Sequence, residues 1–135
     1  MKYFVLPLIT LLSLSAYAAD YDEVAATLPG RSFEIDIGRS SLQMSFGNDQ
    51  TMTVTSEKWG DCTGKMKVVP GDSANGVIIM DNGGLFCSKV ESLPKYIMFQ
   101  LEVPNTFDGN SKGNLNLYFK GKWIVSNKTV SISEK

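Results

Sequence analysis

Cys62 and Cys87 are the only thiols in this 135-residue chain, and histidine is absent. Those two facts decide most of the available chemistry. Without histidine there is no Ser-His-Asp triad, and two cysteines alone cannot complete a tetrahedral zinc cage. A reactive thiol needs a depressed pKa, and neither a neighbouring histidine nor CxxC spacing is present to provide one. The pair, with a sequence separation of 25, is therefore expected to form a structural disulfide. By chain entropy such a bridge stabilises a small domain by roughly 3–4 kcal/mol.

Oxygen chemistry is the next possibility. Asp108-Gly109-Asn110-Ser111-Lys112-Gly113 matches the first, third and sixth positions of an EF-hand loop. The fifth position is Lys112 and the twelfth is Phe119, so two strong ligands are missing and a cation faces the site. A hairpin loop is expected there, and no metal. Glu34 and Asp36 share one side of a strand at a spacing of about 7 Å, formally open to acid–base work on glycosides. That is also the appearance of any solvated strand face. The nucleophile-elbow, SxxK, phosphate-loop and dinucleotide motifs are all absent from the sequence. The expectation is a protein that is not an enzyme, with no catalytic residue and no cofactor.

Charge narrows the partners further. The formal net charge is −1, and the longest basic cluster is Lys120-Gly121-Lys122. Nucleic acid rewards a concentrated basic face, so it is not an expected partner. At the N-terminus, Lys2, the apolar run Phe4 to Leu14 and the small-x-small step Ala16-Tyr17-Ala18 have the three parts of a secretory signal. Residues 1–18 are expected to be cleaved, since the run is well short of the ~20 residues a spanning helix needs. No later segment is apolar enough to span a membrane. Residues 19–135 then form a single domain in the periplasm or a secreted fluid, a compartment that suits the disulfide.

The elements that position these residues read as strands. Phe33, Ile35 and Ile37 alternate with Glu34 and Asp36, and Leu42, Met44 and Phe46 with Gln43 and Ser45. Met52 and Val54 stand between threonines, and Met66 and Val68 between lysines. Ile97, Phe99, Leu101 and Val103 are set against Met98, Gln100 and Glu102, and Leu115, Leu117 and Phe119 against Asn114, Asn116 and Tyr118. Gly121, Trp123 and Val125, then Val130 and Ile132, complete the series. Such period-two runs have one buried and one wet face. Turn residues separate them: Gly47-Asn48-Asp49, Pro70-Gly71-Asp72, Asn127-Lys128, and Asn82-Gly83-Gly84, read as a tight hairpin. The fold class is all-β, a small antiparallel meander closed as an 8–9-stranded barrel or sandwich. Asp20 to Leu28 is expected to form a short helix stopped by Pro29-Gly30, closing one end.

In outline this meander is similar to the calycin barrels, which carry small apolar ligands. Their Gly-x-Trp signature belongs on the first strand, where this chain has Gly30-Arg31-Ser32; Gly121-Lys122-Trp123 stands at the opposite end. Ser73-Ala74-Asn75-Gly76 and the glycine-rich stretch after it resemble periplasmic inhibitors of C-type lysozyme. The Ser-Gly-x-x-Tyr motif of those inhibitors falls on Asn75, Gly76 and Ile79, so both working side chains are replaced. From the absent catalytic chemistry and the compact, disulfide-closed meander, the expected function is binding of a protein partner, of inhibitor, immunity or envelope-accessory type. The loops around Trp59, Asp61, Asp72, Asn75, Phe107, Asp108 and Asn110 are the candidate contacts. The alternative is a small apolar ligand held inside the barrel by Phe33, Met44, Phe99, Leu117 and Trp123.

Overall fold

The computed structural model describes residues 22–57, 59–73, 75–88, 96–119 and 122–135, without the side chains of Lys122 and Trp123. The expected signal at 1–18 lies outside these residues. A short helix, α1, covers 22–27. Nine strands follow: β1 (Ser32–Asp36), β2 (Ser41–Phe46), β3 (Thr51–Ser56), β4 (Gly60–Pro70), β5 (Gly76–Asp81), β6 (Leu85–Cys87), β7 (Tyr96–Pro104), β8 (Ser111–Phe119) and β9 (Lys122–Glu134).

All pairings are antiparallel, and β1 pairs with β9 as well as β2, which closes an eight-stranded barrel. The expected meander is what forms. Closure removes the free edges that an open sheet of this length exposes. The inward phase of the alternation builds one core, with Phe33, Ile35, Met44, Met52, Ile79, Phe99, Leu101 and Leu115 completely buried. The outward phase carries Glu34, Gln43, Thr53, Lys65, Lys67, Gln100 and Asn114. A lipid-facing barrel has the reverse arrangement, apolar outside and polar within.

β6 is the strand additional to the ring of eight, and its pairings correct the hairpin reading of Asn82-Gly83-Gly84. β5 and β6 do not pair with each other. Both lie between β4 and β7 and run in the same direction. Asp81 pairs with Met66 and Phe86 with Thr63, so five steps along β5–β6 span only three along β4. β7 gives the same offset: Met80 pairs with Gln100 and Leu85 with Ile97. The Asn-Gly-Gly step is therefore a wide bulge in one interrupted strand. Gly83 and Gly84 hold φ of 100° and 96°, values that favour glycine in a turn and a bulge alike. Opposite the bulge, a Cβ on Gly64 would stand 2.6 Å from the Gly84 carbonyl oxygen, so β4 needs glycine there.

Two further readings change in the same way. Asn127-Lys128 is not a turn: β9 runs unbroken from Lys122 to Glu134, with register shifts against β8. Asn127 has φ 50°, and its N–H donates to Asn116 Oδ1 at 2.7 Å. The stretch from Gly60 to Gly64 is the first half of β4 rather than a loop. The expected disulfide is present: Cys62 and Cys87 face each other across the β4–β6 ladder and are joined.

Candidate functional site

The barrel is closed at one end, and at the other, here termed the open end, the described residues line a cavity. At the closed end, Val24 and Leu28 of the helical segment bury against the core. Phe107, from the connection between β7 and β8, turns its ring inward onto Phe33 at 5.5 Å and is only 7% exposed. It therefore belongs to the plug, leaving that loop's contact surface to Asp108 and Asn110. The reason is geometric: the apolar ring of the loop has an unfilled barrel end beneath it.

Arg31 ties this plug together. Its guanidinium donates to both carboxylate oxygens of Glu134 at 2.7 Å, to the Thr27 carbonyl at 3.1 Å and to the Asp108 carbonyl at 2.8 Å. It also stands 5.2 Å from the centre of the Phe33 ring. One cation thus joins the helix, the first strand, the last strand and the β7–β8 loop. The hydrogen bond from Arg31 holds the Glu134 carboxyl below its ordinary value of 4.5. A lowered carboxyl contributes stability above its unfolded pKa and loses it as pH falls through the folded value. In urea titrations across pH, Glu134→Gln is expected to be less stable than the wild type at neutral pH. The gap should close as pH falls below about 4.5. A gap independent of pH would refute this coupling.

The loop candidates divide between the two ends and cannot form one surface. Asp72 and Asn75 lie at the closed end, where the Asn75 carbonyl accepts the Asn105 N–H at 2.8 Å. They line an open groove of about 920 Å³ with Glu102, Lys112, Asn114 and Asn127. Asn110 Oδ1 accepts the Glu134 N–H at 3.3 Å, so it braces the last strand. Trp59 and Asp61 lie at the open end. Trp59 is 7% exposed, with its ring 5.7 Å from that of Phe119, and the Ser56 hydroxyl accepts its backbone N–H. Asp61 is exposed on the outer face of β4, accepting the Thr55 hydroxyl at 2.8 Å.

Of the interior ligand candidates, Phe33, Met44 and Phe99 are fully buried members of the packed core. Leu117 is also in that core, but it lines a cavity of about 510 Å³ at the open end. Trp123 of β9 is the register partner of Tyr118, an outward-phase residue of β8, so the pairing does not continue the buried phase expected for it; its side chain lies outside the described residues. The carboxylate pair on β1 is otherwise engaged: Asp36 Oδ1 accepts the Gly38 N–H at 2.8 Å, and Glu34 stands 3.9 Å from Lys135 Nζ. Among the described residues, no group of three His, Cys, Asp or Glu side chains is placed to hold a metal ion.

One feature of the wall was missed by pattern reading. Phe86 on β6 and Tyr96 and Met98 on β7 point outward, with 46%, 55% and 44% of their surface exposed. Phe86 and Tyr96 are register partners whose rings meet edge to face at 5.4 Å. Met98 follows two residues along on the same face and pairs with Tyr118 on β8. On the other side, Phe86 pairs with Thr63 of β4, and the Asp61 carbonyl accepts the Ser88 N–H. An apolar row therefore crosses this part of the wall.

No family model, curated protein or solved structure matches this chain. Function has to be argued from the surface itself. The signal for the wall row was present in the sequence: Met98 occupies the wet phase of its strand, opposite Ile97 and Phe99. Phase alone did not reveal that Phe86 would stand beside Tyr96, because the bulge before β6 sets that pairing.

Proposed function

We propose that this chain is an exported, non-enzymatic binding protein that engages a protein partner, in an inhibitor, immunity or envelope-accessory role. The reading rests on the outward row of Phe86, Tyr96 and Met98. Contiguous exposed aromatic and methionine surface is uncommon on monomeric domains and is enriched in protein interfaces. Leaving it in water has a cost that a partner would remove, at roughly 25 cal/mol per Å² covered. Asp61 and Thr63 provide the polar border that such an apolar centre needs. The loop candidates at the closed end, Asp72 and Asn75, lie at the opposite end of the same strands and are secondary to this row. Export is supported by the disulfide, which persists in oxidising compartments, and by the signal-like residues 1–18.

Site-specific photo-crosslinking tests the reading. With benzoylphenylalanine in place of Phe86 or Tyr96, irradiation of the producing cells should give one discrete heavier adduct. The same probe in place of Gln43 on the polar wall should give none. Tyr96→Lys and Met98→Lys should weaken the captured complex at least about tenfold, because each places a desolvated charge in the contact. Their melting temperatures should stay near that of the wild type. Absence of an adduct, an equal adduct from position 43, or an adduct of twice the chain's mass would each overturn it.

A further inference from the structure

The cavity at the open end has the form of a cup. Its floor is the top of the core, Leu42, Leu117 and Trp59, and Ile37 and Val125 add apolar wall. The far end is plugged by the helical segment and Phe107, so the cup does not run through the barrel. Its rim is made by the β1–β2 and β3–β4 connections and is polar, with Arg39, Ser40, Ser41, Ser56 and Glu57. A volume of about 510 Å³ lies within the size of small-molecule sites, which favour the mouths of β-barrels.

The two arginines of the chain are used differently. Arg31 spends four of its five N–H donors on the plug, as described above. Arg39 is exposed and makes no ion pair among the described residues. A guanidinium presents a planar fork of donors suited to a carboxylate, and here it stands over an apolar floor. Glu57 on the neighbouring connection balances its charge, so the rim favours one negative group rather than a polyanion.

We infer that the open mouth is a binding site for a small amphiphile: an apolar body seated on Leu42, Leu117 and Trp59, with a single carboxylate held at the rim by Arg39. The site is independent of the wall row, faces along the barrel axis, and leaves the interior core packed. Its ligand is half in and half out, which an interior carrier's ligand is not.

Decanoate and 1-decanol, kept below their aggregation limits, test both halves of the assignment by titration calorimetry. The wild type should bind decanoate saturably at one per chain, about tenfold more tightly than 1-decanol. Arg39→Gln, an exposed change, should leave 1-decanol binding intact and remove the preference for the carboxylate. Ser56→Trp, which fills the mouth from its rim, should abolish binding of both, with the melting temperature checked in parallel. Failure of decanoate to saturate, equal affinity for the alcohol, or an unchanged preference in Arg39→Gln would overturn the inference. None of these results bears on crosslinking at Phe86.

Discussion

Reduction of the Cys62–Cys87 bridge is expected to lower the unfolding free energy by about 3.5 kcal/mol and the melting temperature by about 10–20 °C. The first figure follows from closing a 25-residue separation in the unfolded chain. Local structure makes the loss larger at one place than elsewhere. β6 is only three residues long, with two register partners on β4 and two on β7. Both sulfurs are buried, so the bridge is also part of the core. Without it, β6 loses its covalent hold on β4, and the outward row loses the support beneath Phe86. Guanidinium unfolding of the oxidised protein, the reduced protein and Cys62→Ala/Cys87→Ala should show the same shift for the last two. Protease cleavage near Phe86 should appear only in those two. A stability change under about 1 kcal/mol would show that the native contacts alone hold β6.

How much of this molecule was legible beforehand depends on whether the cause is local. Alternation is local, and it assigned the inward phase of six strands and of the second half of β9 correctly, because a barrel wall has one wet and one dry face at every position. The cysteine pair was legible by elimination, since no alternative chemistry had the residues it needs. The bulges were not. Asn82-Gly83-Gly84 and Asn127-Lys128 carry the same preference for positive φ whether the chain reverses or merely steps sideways. What decides between these outcomes is the strand on either side, and that pairing is non-local. Phe107 shows the same limit. A phenylalanine among Asn, Asp and Gly residues reads as an exposed tip until the barrel end that it plugs is known. The division of the loop candidates between two ends follows from counting strands, so misreading β6 as a hairpin arm also misplaces the loops after it. The wall row is the functional consequence: two aromatic residues become neighbours only when the interrupted strand continues in register with β7.

That continuation depends on Asp81, the one buried charged or polar side chain among the described residues, at 4% exposure. Where the bulge leaves the ladder, strand pairing no longer supplies every backbone partner. Asp81 Oδ2 accepts the Gly84 N–H at 2.6 Å, and Oδ1 accepts the buried Phe99 N–H at 2.7 Å. One carboxylate thus supplies the acceptors for one amide in the bulge and one on β7. Burying a carboxylate is unfavourable by itself, and hydrogen bonding to backbone donors is what compensates for it. Asp81→Ala removes the charge but leaves two amides without an acceptor, at about 1–3 kcal/mol each. The net effect is therefore expected to be destabilising by about 2–5 kcal/mol. Asp81→Asn keeps one acceptor and turns an NH2 group toward the other amide, so it should cost less than alanine but still more than about 1 kcal/mol. The distinguishing readout is local. Amide hydrogen exchange at Gly84 and Phe99 should accelerate in both variants, while amides in the β1–β2 ladder keep their protection relative to global unfolding. Alanine with wild-type stability, or uniform acceleration across the barrel, would mean that the carboxylate is not what fixes the bulge. If the bulge does shift, Phe86 leaves its register with Tyr96, and crosslinking from position 86 should fall together with the exchange protection of Gly84.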